Sequence, residues 1–209
     1  MRTKTRDFLG IASIFIFILT AAIALTIWAI PLYKWTLLYF EIPQKVGMSF
    51  ENILENYYVL LRYLHFPWIK TLALPDFPVS TSGAFHFYEV KNLFLLNYGL
   101  LFLSFVGAFL YLRKLKQVKG FWRLVQPFKV AIFIPFVLLL ILAMDFDWMF
   151  VMFHQLLFNN DAWLFNATTD PIILVLPQEF FMYCFILVFV LIEAFFITGY
   201  FYFKKRSIQ

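Results

Sequence analysis

FHQLLFNNDAWLFNATTDPIILVLPQEFF, residues 153–181, decides how this chain is built. Its three Asn, two Asp and one Glu make it too polar to cross a bilayer. Yet it lies between two apolar runs, residues 130–147 and 180–203, that are long enough to cross one. A segment of this kind belongs where hydrocarbon meets water. It carries His154, one of only three histidines, followed by Asp161, Trp163, Asn166 and Asp170. We read it as half of an active site, with residues 82–92 as the other half.

Two more apolar runs lie upstream. Residues 8–30 hold no charge and end at Pro31; this run exceeds the 7–15 residues of a signal-peptide core, so it is expected to remain as an anchor. Residues 85–111 read as one long helix that enters the bilayer near Leu93 and crosses over residues 93–112. The expected fold is therefore an all-α integral membrane protein with four transmembrane helices in a single membrane domain, residues 1–209. Residues 31–92 and 148–179 form a helical cap. Composition agrees: 63% of the residues are hydrophobic, 22% are aromatic, and the mean hydropathy is +0.82. A soluble domain is closer to half apolar. With 30 Phe and only 7 Gly, packing is expected to rest on large side chains. The single cysteine, Cys184, excludes an internal disulfide or a Cys-based metal cluster.

Inside residues 31–82, eight charged residues interrupt the hydrophobicity too often for a span. Ser49 is a fitting N-cap. Ile53, Tyr57, Leu60, Leu61 and Leu64 follow at three-to-four spacing, giving an amphipathic helix ended by Pro67. His65, at its end, sits where a cation is favourable. Residues 113–123 read as a basic loop, and Asp170-Pro171 as a helix start.

Charge sets the orientation. Arg2, Lys4, Arg6, Arg113, Lys114, Lys116, Lys119, Arg123, Lys129, Lys204, Lys205 and Arg206 are 12 of the 17 basic residues. All fall on one side of the four spans, with Asp7 as the only acid there. The other side holds 5 basic and 10 acidic residues, and Glu193 lies within the last span. By the positive-inside rule both termini are cytoplasmic and the cap is extracytoplasmic. The net charge of +5 is thus a topology signal and not a nucleic-acid surface.

The chain lacks a P-loop, a dinucleotide fingerprint, a GxSxG elbow and an HExxH pair. What remains is His86, three residues before Glu89 near a helix start, and His154, seven residues after Asp147 on one helix face. Each has a bland reading, as a surface contact or as a structural histidine bonded to a carbonyl. Two histidines with nearby carboxylates in an aromatic setting suit proton transfer on an amphiphile.

FHFYEVK at residues 85–91, with His154, WLF at 163–165, Asp170 and PQEFF at 177–181, resembles the bacterial lipoprotein intramolecular transacylases over nearly the whole chain. Glu89 stands where that family favours Asp, and Ala167 where it favours Pro. The resemblance implies transfer of the sn-2 acyl chain of a lipoprotein's diacylglyceryl group to the α-amine of its own N-terminal cysteine. His154 and His86 are implied as base and acid. Glu89, Asp147 and Asp170 are implied to orient them, and Tyr88, Trp163 and Phe165 to wall the pocket. Ester to amide is downhill, so no ATP, metal or cofactor is expected. The implied partners are diacylated bacterial lipoproteins and membrane lipid, with no nucleic acid; the implied place is the bacterial cell membrane, and the expected state a monomer. Three rival readings stand: a lipid hydrolase using water as nucleophile, a bis-histidine haem or metal protein, and a structural membrane subunit with no chemistry.

Overall fold

Every described element is helical. The computed structural model describes residues 2–208, with α1 Arg2–Ile27, α2 Ile30–Tyr39, α3 Ile42–Val46, α4 Phe50–His65, α5 Thr81–Gln117, α6 Trp122–Ala131, α7 Phe133–Met144, α8 Phe146–Leu157, a 3-10 turn at Pro171–Leu174 and α9 Gln178–Ser207. Four stretches are long and apolar enough to cross a membrane: Thr5–Ile27, Thr81–Gln117, Trp122–Met144 and Gln178–Ser207.

The 37 residues of α5 amount to about 55 Å at 1.5 Å per residue. A hydrocarbon core is about 30 Å thick, and tilts reach about 40°, so α5 must project beyond it. Its charge-free part is residues 92–112, which leaves the first turns, with His86 and Glu89, as the projecting end.

Three boundaries differ from expectation. The basic stretch after residue 112 is mostly helix: α5 runs to Gln117 and α6 starts at Trp122. Lys114 and Lys116 suit a helix C-terminus, and Lys119, at φ 50°, turns the chain so that the Gly120 N–H reaches the Leu115 carbonyl at 2.8 Å. The third apolar stretch therefore begins at Trp122 instead of residue 130. It stops at Asp145, whose extended backbone (φ −158°) separates α7 from α8.

The chain divides into two compact units. One comprises Met1–Trp28, Asn97–Asp145 and Phe185–Gln209. Its core joins Phe15, Phe128, Phe196 and Phe203, with Phe128 edge-on to the other three at 5.0 to 5.6 Å. Bulk is not the whole account, since Gly199 makes room for the Phe128 ring: a Cβ there would lie 2.3 Å from it. Asp7 and Arg123 pair at 2.8 Å, and the Tyr111 hydroxyl also donates to Asp7.

The second unit comprises Ala29–Leu96 and Phe146–Cys184. Its helix α4 forms as its sequence dictates. The Ser49 hydroxyl accepts from the Asn52 N–H at 3.1 Å, a cap that contributes about 1 kcal/mol. The face carrying Ile53, Tyr57, Leu60, Leu61 and Leu64 is buried, and Phe66, ahead of Pro67, is extended. Tyr33 anchors the core: fully buried, it stacks on Tyr57 at 3.8 Å, meets Phe180 edge-on, and donates to the Val175 carbonyl at 2.8 Å. Asn56, also fully buried, donates to Asp76 and accepts from the Asp76 N–H, tying the connector after α4 to that helix. Lys91 donates to the Ile69 carbonyl and lies over the Tyr63 ring. His65 has a structural place at the end of this helix. It is buried with Nδ1–H donating to the Leu61 carbonyl, and burial holds its pKa below the ordinary imidazole value, favouring the neutral ring over a cation.

Candidate active site

The site belongs to the second unit and begins with the cap of α5. The Ser80 hydroxyl accepts from the Gly83 N–H at 2.9 Å, and the Ser80 N–H donates to Asp170 Oδ1 at 2.8 Å. Asp170, 2% exposed, also accepts from the Thr169 hydroxyl at 2.8 Å. Burial raises the pKa of this carboxyl, but the Ser80 and Thr169 hydrogen bonds outweigh it and hold Asp170 below its usual value. Asp170 therefore pins the start of α5 and does not cap the 3-10 turn it precedes, to which its side chain makes no capping bond. The approach is close. A Cβ on Gly83 would lie 2.2 Å from Asp170 Oδ1 and 3.3 Å from the Phe165 ring.

One turn on, His86 is buried in a cage of rings. Phe158 meets it edge-on at 4.8 Å and Phe165 at 5.5 Å, and the His154 ring is 5.9 Å away, centroid to centroid. Its Nδ1 is buried with no hydrogen-bond partner among the described residues. An unsatisfied buried polar atom costs about 1–3 kcal/mol, so a folded chain keeps one mainly where something else is to bind.

His154 comes from α8. Its Nδ1 lies 2.8 Å from the Phe150 carbonyl, one turn back. A carbonyl only accepts, so Nδ1 carries the proton and the neutral ring keeps its lone pair on Nε2. Trp163 stacks on the imidazole at 4.7 Å and 27°, and Phe150 lies at 4.2 Å. Burial among these rings lowers the His154 pKa, and the bond to Phe150 recovers only part of that shift. The neutral ring is thus the resting form at pH 7. It is the form a base requires.

Among the described residues no carboxylate is hydrogen-bonded to either imidazole. Glu89 Oε1 accepts from Asn160 Nδ2 at 2.9 Å, while its Oε2 is buried without a hydrogen-bond partner among the described residues. Asp147 is exposed and accepts from Gln178 Nε2 at 2.6 Å. Asp170 acts on the helix carrying His86, through Ser80. Tyr88 is 53% exposed, and its ring pairs with neither imidazole among the described residues. Trp163 and Phe165 do stand against the histidines.

Three features had no part in the sequence reading of the site: the bond from Ser80 to Asp170, Gly83 and Asn160. Asn160 is a hub. Beyond its bond to Glu89, its Oδ1 accepts from the Ala162 N–H and its carbonyl accepts from Trp163 Nε1, both at 2.9 Å. The signal for it was an Asn-Asn-Asp turn directly after a helix, where Asx side chains bond the backbone two residues on.

Four apolar spans define a multi-pass membrane protein, and its second unit sets two imidazoles together in an aromatic cage. The family model described as "Lipoprotein intramolecular transacylase Lit" matches residues 8–181, and the chain belongs to that family. The chain is similar in structure to the membrane-integral lipoprotein intramolecular transacylase Lit from Bacillus cereus, with 30% identity and a TM-score of 0.92 over 97% of this chain and 94% of that one. Two variants of the Bacillus cereus protein, in which one histidine is replaced by arginine or by alanine, match at 30% identity and a TM-score of 0.83. Each covers 97% of this chain, and 91% and 92% of its own. No curated protein sequence matches the chain. The chain is accordingly an acyltransferase that works within a lipoprotein in the membrane.

Proposed function

We propose that His154 and His86 carry this transfer as base and acid, on the extracytoplasmic side of the membrane. The observation that carries the proposal is the pair itself: two imidazoles 5.9 Å apart, one with its proton fixed on Nδ1 and the other with a buried, unpartnered nitrogen. The histidine variants made in the Bacillus cereus relative support a role for a histidine.

The substrate is a diacylglyceryl-cysteine lipoprotein. Its cysteine α-ammonium first loses a proton. The amine nitrogen then attacks the sn-2 ester carbonyl carbon, and His154 Nε2 takes the second nitrogen proton as the C–N bond forms. The proton taken by His154 is passed on to His86, which gives one to the departing glyceryl oxygen as the C–O bond breaks, so that both rings end neutral as they began. The products are the N-acyl amide and a free glyceryl hydroxyl, and one proton, that of the ammonium, leaves to solvent. From nitrogen through the two cysteine carbons, sulfur, two glyceryl carbons and oxygen to the carbonyl carbon, the tetrahedral intermediate closes an eight-membered ring. Medium rings close poorly unless the chain is held folded, and Phe158, Trp163 and Phe165 are the rigid walls that supply orientation. No cofactor enters this scheme, and one copy of the chain carries both histidines.

Sidedness rests on charge. Basic residues gather at the ends of the spans away from the histidines, and the positive-inside rule then supports cytoplasmic termini with His86 and His154 outside.

The test is to give the purified protein two synthetic diacylated lipopeptides together, one with an isotope-labelled sn-2 chain and the other with a distinguishable peptide. N-acyl products whose label stays on its own peptide support the proposal. Crossed labels, or free fatty acid in place of amide, overturn it.

A further inference from the structure

Glu89 is a half-buried carboxylate of the site that the two-histidine scheme leaves without work. It lies one turn after His86 on α5, yet it bonds to neither imidazole. Oε1 is held by Asn160, and the same Asn160 fixes through its carbonyl the Trp163 ring that stacks on His154. Oε2 is buried and receives no donor among the described residues. The nearest ammonium on its own helix, that of Lys91, is committed to the Ile69 carbonyl and the Tyr63 ring. A carboxylate anchored through one oxygen, with the other buried and empty, is an acceptor prepared for a cationic donor.

We infer that Glu89 Oε2 is the seat for the substrate's cysteine α-ammonium, holding that nitrogen beside the two histidines before it is deprotonated. The inference rests on the substrate reading given above and adds to it a recognition site for the free amine. The anchor explains why the carboxylate stays in place when no substrate is bound. The ammonium brings the one chemical group that the diacylglyceryl end lacks, a compact cation with three donors. Release of the product follows from the same contact, because acylation turns the cation into a neutral amide that Glu89 no longer holds. The two states of one nitrogen are thus told apart by charge.

The experiment uses an unreactive probe: a lipopeptide whose two glyceryl chains are ether-linked, so that no acyl group can move, prepared with a free α-amine and with an N-acetyl group. Binding of each to the full-length protein in lipid nanodiscs is measured by competition against a fluorescent lipopeptide. The wild type is expected to bind the amine form at least ~10-fold more tightly, as for a charge-assisted hydrogen bond. In Glu89→Gln that preference falls to within ~3-fold, while the N-acetyl form binds as before. Glu89→Asp, which keeps the charge, retains a measurable preference. Equal binding of the two forms by the wild type, or an undiminished preference in Glu89→Gln, overturns the inference while leaving the histidine scheme intact. If neither probe binds, the substrate reading itself is overturned, and this seat with it.

Discussion

Gly83→Ala is the smallest change that tests how the site is held. The added methyl would lie 2.2 Å from Asp170 Oδ1 and 2.9 Å from its Cγ, far inside contact distance. Asp170 has no free path away, being 2% exposed and bonded to both Ser80 and Thr169. Overpacking of this kind costs about 1–3 kcal/mol. Displacing the carboxylate from the Ser80 N–H adds about 1.5–3 kcal/mol, and the better helix propensity of alanine returns at most about 1 kcal/mol. The net expectation is a loss of about 1.5–6 kcal/mol. Activity should fall as well, because Phe165, which flanks His86, is 3.3 Å from the new methyl. The assay is thermal unfolding of the purified protein in one detergent, with lipopeptide conversion followed by mass spectrometry. Gly99→Ala is the control: it lies on the same helix with nothing within 4 Å, and it should cost neither stability nor activity. A Gly83→Ala protein as stable and as active as the wild type would refute the close packing of Asp170 on α5.

Three further outcomes are expected. Tyr33→Phe leaves the buried Val175 carbonyl without its donor and should cost about 1–3 kcal/mol in unfolding free energy; an unchanged Tm would contradict that. Trp163→Ala removes both the stack on His154 and the bond to Asn160, and should lower turnover at least ~10-fold while circular dichroism stays helical. Wild-type turnover would show that His154 needs no such wall. Acidification should destabilise the fold. His65 and His154 have pKa values below the ordinary 6.5, so just below that pH the unfolded chain binds more protons than the folded one. Stability is therefore full above about 6.5 and declines as pH falls through the lowered values. Asp170 does not contribute in this window, since its own stabilisation is lost only below the carboxylate range. A Tm that is flat or rising from pH 7.5 to 5.5 would contradict the burial of these rings.

How much of this was legible beforehand depends on the range of each contact. Local signals read well. Ser49 and the spacing from Ile53 to Leu64 mark α4 because cap and apolar face are written within a few residues. The four apolar runs announce themselves by length, although Lys114 and Lys116 disguised the last turn of α5 as a loop. The partners of the carboxylates were not legible. Glu89 meets Asn160 across 71 positions and Ser80 meets Asp170 across 90, and no periodicity reaches that far. The partner of Asp147 was equally out of reach: it lies in the first turn of the helix that carries His154, and its hydrogen bond goes to Gln178, 31 residues on. Tyr88, two residues after His86, lies on another face of the helix and is exposed while His86 is buried. The approach of His86 to His154 followed from no spacing rule and rested on the family resemblance.

The central claim is that the two imidazoles act together, and single-turnover measurement on His154→Asn tests it most directly. The asparagine amide can still donate to the Phe150 carbonyl as Nδ1 does, so the structural bond is kept and only the Nε2 lone pair is lost. The account predicts that N-acyl lipopeptide formation, followed by mass spectrometry, drops ~10²–10⁴-fold. His86→Asn should fall comparably, and the double variant little further, as for groups that act as a unit. Product formation by His154→Asn within about 3-fold of the wild type would contradict it.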